Sequence, residues 1–117
     1  VQTCALPICK SYLRELLRLQ NYDLTAISYQ QLTVGASVVS LTIPTDARYA
    51  ILQLESSVTG AAIRYLTLGN NTIPTASTGM IRSNLDVIDI GGTNNLTLFR
   101  AIQAAAGTHK LNITYYK

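Results

Sequence analysis

Tyr49-Ala50-Ile51-Leu52-Gln53-Leu54-Glu55 is the stretch whose pattern decides the fold class. In an extended chain successive side chains point to opposite faces. Ala50, Leu52 and Leu54 therefore share one side, and Tyr49, Ile51, Gln53 and Glu55 share the other. The pattern reads as a central strand with both faces largely covered. Moving toward the N-terminus, Pro44-Thr45-Asp46 supplies a turn. Before it, Leu32, Val34, Val38, Val39, Leu41 and Ile43 read as one strand from Gln31, interrupted by a bend or bulge at Gly35.

Moving the other way, Ser56 to Gly60 is a loop of small residues, and Ala62 to Leu68 alternates as the next strand. Gly69-Asn70-Asn71-Thr72 tolerates positive φ, and Pro74 stiffens the exit from that loop. Met80 to Arg82 reads as a short edge strand and Leu85 to Ile90 as a longer one. Gly91 to Asn95 reads as the most flexible turn, and Leu96 to Gln103 as a strand. Ala104 to Thr108 is a tight connection whose alanines carry one helical turn. The last strand, Lys110 to Tyr116, sets Leu111, Ile113 and Tyr115 against Asn112, Thr114 and Tyr116, so one of the paired tyrosines faces inward and the other outward. About seven short strands with turns at this spacing predict an all-β, antiparallel β-sandwich. No helical crossovers separate the strands, which disfavours a parallel sheet.

The 117 residues suffice for one two-layer core. Charged residues make up 13 % of the chain, about half the usual share. Thr, Ser, Asn and Gln hold the surface in water instead. The net charge of +3 comes from nine Lys and Arg against six Asp and Glu. The cations are dispersed from Lys10 to Lys117, whereas a nucleic-acid binder gathers them in a stripe interleaved with aromatics. No nucleic-acid partner is expected. No apolar run reaches the length of a membrane span, so no membrane partner is expected either.

The N-terminal residues Val1-Gln2-Thr3-Cys4-Ala5-Leu6-Pro7-Ile8 are the in-frame translation of GTT CAG ACG TGT GCT CTT CCG ATC, the end of a common short-read sequencing adaptor. Residues 1–9 are accordingly read as assembly sequence of metagenomic origin, and Cys4 and Cys9 are not read as a disulfide or half a metal site. The one methionine, Met80, lies inside the domain, so the natural start is expected upstream or at a non-ATG codon. Residues 10–30 form an N-terminal segment in which Leu13, Leu16 and Leu17 have helical spacing, predicting one short helix from Lys10 to Asp23. The β domain is expected over 31–117.

Catalytic chemistry finds little purchase. Asp86 and Asp89 are three apart and fall on opposite sides of a strand, so they cannot cooperate as acid and base. His109 has no Cys or Ser partner near it in sequence and is expected in an exposed turn. Zinc ligands, calcium loops, phosphate-binding glycine loops and a Gly-x-Ser-x-Gly elbow are all missing. No catalytic residue, cofactor or metal is expected.

Ala62-Ile63-Arg64-Tyr65 with Pro74-Thr75 and Gly79, then Asn95-Leu96 with Phe99-Arg100 and Ile102, then Leu111-x-Ile113-x-Tyr115-Tyr116, resemble a family of short bacteriophage proteins usually found beside virion genes. That resemblance covers roughly residues 32–117. It implies a non-enzymatic virion accessory protein, a capsid decoration or a head or tail fibre module. Such a protein is made in the bacterial host cytoplasm and resides in the virion, bound to other virion proteins or to copies of itself. The family commonly has Asp-Gly in the loop where this chain reads Gly69-Asn70-Asn71, which removes a carboxylate that could ligate a cation or cap a turn. A similar Arg-Tyr…Pro-Thr pattern occurs in a β-sandwich module appended to chitin- and hexosamine-degrading enzymes. It implies the alternative of a carbohydrate- or host-surface-binding module, in which Tyr65, Tyr115 or Tyr116 stack on sugar rings and Asn70, Asn71 and Asn95 bind hydroxyls. The candidate contact residues are thus Arg64, Tyr65, Asn70, Asn71, Thr75, Arg100, Tyr115 and Tyr116.

Overall fold

The structure is a computed structural model that describes residues 24–69 and 72–117. The helix expected over Lys10 to Asp23, the adaptor reading of 1–9, and Asn70 and Asn71 lie outside the described residues. Eight strands follow one another: β1 (Ala26–Val34), β2 (Val39–Ser40), β3 (Tyr49–Ser56), β4 (Ile63–Leu66), β5 (Met80–Arg82), β6 (Val87–Gly91), β7 (Arg100–Gln103) and β8 (His109–Tyr116). One helical turn, α1 (Thr93–Leu98), precedes β7. The chain is all-β and folds as two antiparallel four-stranded sheets.

Their strand orders are β1-β8-β3-β6 and β2-β7-β4-β5. First pairs with last, second with seventh, third with sixth and fourth with fifth, as in one long antiparallel hairpin. Rolling that hairpin up adds the β3–β8 and β4–β7 pairings. Only the β4–β5 connection stays within a sheet. This is the jelly-roll topology, a double sheet that buries one face of each layer.

Alternation explains which face is buried. On β8, His109, Leu111, Ile113 and Tyr115 are buried while Lys110, Asn112, Thr114 and Tyr116 are not. Ala50, Leu52 and Leu54 of β3 meet them across the register, and Ile88 and Ile90 continue the layer on β6. From the opposing sheet come Ile63 and Ala101, with Leu96 and Phe99 closing the end. Each fully buried Leu, Ile or Phe contributes about 1.5–3 kcal/mol. Tyr115 is the one large phenol in this core. Its hydroxyl donates to Gln30 Oε1 at 2.6 Å, and the same oxygen accepts the Thr42 N–H at 3.2 Å, tying β1 and β8 to the segment that follows β2.

Several expectations are corrected. The strand read from Gln31 to Ile43 is two strands in different sheets, because at Gly35 the chain crosses between layers; β1 begins earlier, at Ala26. Among the described residues the count is therefore eight strands. β3 is fully covered on one face only, since on the other Tyr49 and Ile51 are half-buried and Gln53 and Glu55 are exposed. The strand read from Leu96 begins at Arg100, and the supposedly flexible Gly91–Asn95 turn leads into α1. Gly92, at φ 95°, lets the backbone turn; the Leu96 N–H then bonds Gly92 O, and Leu96 inserts into the core. Ala104 to Gly107 form bends and no helical turn. Leu85 lies outside β6, at φ 71° and 64 % exposed.

Candidate functional site

Arg64 projects from β4 onto the outer face of the second sheet, opposite Ile102 on one side and Ile81 on the other. Its Nε donates to Ala76 O at 3.0 Å and its NH1 to Gly79 O at 2.9 Å. Between those two carbonyls, Thr75 and Thr78 exchange backbone bonds at 2.9 and 3.2 Å, and Thr75 Oγ1 accepts the Ser77 N–H. Pro74 is fully buried beneath them. Gly79 sits at φ 130°, where an added Cβ would lie 3.2 Å from the Cβ atoms of both Arg64 and Pro74. The Arg64, Pro74, Thr75 and Gly79 element is thus one unit whose polar groups satisfy each other, with the guanidinium bound to backbone carbonyls.

The other candidates separate. Tyr65 stacks on Phe99 with centroids 5.6 Å apart and carries the Arg82 guanidinium 5.4 Å from its own centroid. Its ring is occupied. Arg100 spends its NH1 on the carbonyls of Thr97 at 2.9 Å and Phe99 at 2.7 Å, closing the end of α1. Tyr115 has no accessible surface and burial pushes its hydroxyl up to about 12, which removes it as a sugar platform. Tyr116 faces outward and packs edge-on against Tyr49, 5.8 Å between centroids. Asn95 donates to Gly91 O at 2.8 Å as part of the α1 start. The structure therefore brings Arg64 and Thr75 together, places Arg100 on the same outer face, and sets Tyr115 and Tyr116 on the other sheet.

His109 is the residue that sequence reasoning misplaced. Far from an exposed turn, it is fully buried at the head of β8. Its Nε2 lies 2.7 Å from Ala105 O and its Nδ1 2.8 Å from Ser56 Oγ. A carbonyl can only accept, so Nε2 carries the proton and Nδ1 accepts from the Ser56 hydroxyl. A serine on a carbonyl-oriented histidine has the layout of a nucleophile and its base. The surrounding amides argue otherwise: Ser56 N–H bonds Asn84 Oδ1, Ser57 N–H bonds Thr108 O, and Val58 N–H bonds Ser56 Oγ itself. None of the three is free to hold an oxyanion. The pair instead locks the loop after β3 to the loop before β8. The signal was present in the period of two, since His109 is in phase with Leu111, Ile113 and Tyr115.

Each sheet also presents an outer face. The outer face of the second sheet carries Leu66, Ile81 and Ile102, with exposed Leu68 and Ile73 beside a small cavity of about 120 Å3 at its end. The outer face of the first sheet is polar toward one end, where Tyr29 and Gln31 both donate to Asn112 Oδ1, whose amide donates in turn to Glu55, while Leu24, Tyr49, Ile51 and Tyr116 line a cavity of about 260 Å3 elsewhere on it. At its end lies an open groove of about 530 Å3. Among the described residues no three His, Cys, Asp or Glu side chains gather as a metal site, and no helix is long and apolar enough to cross a membrane. No family model matches the chain, and no curated protein or solved structure matches it.

Proposed function

We propose that this chain is a non-enzymatic bacteriophage virion accessory protein, a capsid decoration or head or tail fibre module that acts by protein–protein assembly. The observation that carries the reading is the set of apolar side chains on the outer face of the second sheet. Ile81 and Ile102 flank Arg64 there and Leu66 stands opposite Arg100, Ile81 is 44 % exposed, and both cations are already bonded to backbone carbonyls. Exposed apolar side chains between cations that are already satisfied internally leave this face suited to a protein partner. The resemblance of the three sequence elements to phage proteins points the same way. Eight-stranded jelly rolls recur in viral capsid and lectin domains, which supports the reading by analogy of fold.

Its partners are other virion proteins or copies of itself, and its place is the virion. The test has two arms. Neighbouring reading frames on the parent contig should encode capsid, portal or tail proteins; polysaccharide-degrading neighbours would overturn the virion assignment. In solution, light scattering should show self-association or binding to those neighbours' products that Ile81→Glu abolishes without loss of fold. Unchanged association in that variant would remove this face as the interface.

A further inference from the structure

The groove on the first sheet lies on the opposite layer from the apolar face, and its reading is independent of the assembly proposal. Gln53, Glu55 and Lys110 line it from the sheet, the last two being cross-strand partners on β3 and β8. Asn84 and Leu85 join the lining from the β5–β6 connection, and Ser57 and Thr108 from the loops after β3 and before β8.

Leu85 is the unusual member. It occupies the left-handed region at φ 71°, where a Cβ costs about 1–2 kcal/mol and Gly or Asn would be the undemanding choice. The turn is held firmly: Leu85 N–H bonds Leu54 O at 2.7 Å, and Asp86 Oδ2 accepts the Ser83 N–H at 2.7 Å. The result of this strain is an isobutyl group 64 % exposed on the lip of a polar groove. Strained residues persist where the surrounding structure over-determines them, and they concentrate at ligand sites.

The polar groups around Leu85 include both donors and acceptors. Asn84 commits its Oδ1 to the Ser56 N–H, which leaves its Nδ2 as a donor. Glu55 takes the Asn112 amide on Oε1, which leaves Oε2 as an acceptor. Gln53 brings an amide of both kinds and Lys110 three N–H donors. Glu55 beside Lys110 cancels the charge that a phosphate or sulfate would need. A single carboxylate cannot hold a divalent cation, and a single leucine cannot hold a wholly apolar ligand. What fits is a neutral molecule with one apolar face and several hydroxyls that both donate and accept.

We propose that this groove is a saccharide-binding site. A neutral pyranose unit lays its C–H face on Leu85 and bonds its hydroxyls to Gln53, Glu55, Asn84 and Lys110. The volume, about 530 Å3, lies within the few-hundred-Å3 range of small-ligand sites.

The experiment is an amide NMR titration of the full chain with glucose, galactose, rhamnose, N-acetylglucosamine, maltotriose and chitotriose, and with leucine as the zwitterionic comparison. Each is carried to about 50 mM, enough to saturate a millimolar site. At least one saccharide should give saturable shifts confined to the amides of Gln53, Ser57, Asn84, Leu85, Thr108 and Lys110. Leu85→Gly should weaken that binding about tenfold while raising the unfolding midpoint, because glycine relieves the left-handed strain. Glu55→Gln, which keeps an oxygen for Asn112, should weaken binding without altering the fold. The proposal is overturned by the absence of saturable shifts with every saccharide, by shifts centred elsewhere, by saturation with leucine alone, or by undiminished affinity in both variants.

Discussion

Tyr115 and Gly79 carry opposite kinds of constraint. Tyr115 is constrained by burial: its ring fills the core, and its hydroxyl reaches Gln30, so ionisation would strand a phenolate away from water. Its pKa is about 12 in the folded chain against 10.0 for the free side chain. The folded state therefore holds this proton more tightly than the unfolded one, and the stabilisation is complete below pH 10 and lost as pH rises toward 12. Tyr49 shifts in the same direction, through burial first and then Asp89. Urea unfolding across the alkaline range should show stability falling above pH 10, and in Tyr115→Phe the fall should be shallower though still present. At neutral pH that variant should lose about 1 kcal/mol through the missing hydrogen bond. Gly79 is constrained by space and torsion together. Gly79→Ala puts a methyl into a φ of 130° and against two Cβ atoms that cannot swing away, for an expected loss of about 2 kcal/mol or more in denaturant unfolding. Gly69→Ala, with nothing within 4 Å, should stay within about 0.5 kcal/mol of the parent.

The β4–β5 connection is tied back to its own strand by one side chain. Arg64 crosses from strand to loop, so replacing it tests whether the loop owes its order to that guanidinium. In Arg64→Met the apolar stem remains while both carbonyl contacts vanish, and hydrogen exchange at the Thr75 and Thr78 amides should quicken by at least about tenfold while β8 amides keep their protection. What could be read beforehand follows the same logic. β3, β4 and β8 were legible because period-two alternation is a strong signal over four or more residues. The split between β1 and β2 was not, because a glycine inside an apolar run looks the same whether it makes a bulge or lets the chain leave the sheet. α1 was hidden by its length, six residues being too few to establish a helical period. Of the candidate site, the Arg64 loop could be located but not its internal bonding. The groove was illegible, since Gln53, Asn84 and Thr108 are neighbours only through pairings that alternation does not specify.

At the scale of the molecule, those pairings make β8 the strand on which closure depends. It lies between β1 and β3, contributes Leu111, Ile113 and Tyr115 to the core, and is joined to β1 by side-chain bonds from residues more than 80 positions earlier, such as Tyr29 to Asn112 at |i−j| = 83. Such distant contacts form only after a long loop has closed, so refolding should fall in the millisecond-to-second range usual for sheet sandwiches. A chain ending at Ala106 keeps seven strands but leaves the facing edges of β1 and β3 unpaired and uncovers Val34, Leu52 and Leu54. That fragment should lack dispersed amide NMR signals. The missing strand lies beyond an exposed connection, Ala105 to Thr108, so it can be supplied separately as a peptide of residues 107–117. An added strand satisfies two open edges and one core layer at once, and this is the energetics of strand complementation. Adding the peptide should restore native-like dispersion, and Leu111→Ala in the peptide should weaken its binding by about 2–5 kcal/mol, the usual penalty for truncating a fully buried leucine. A fragment that folds without the peptide would show that closure resides in β3 and β6, and the rolled-hairpin account of the fold would have to be redrawn.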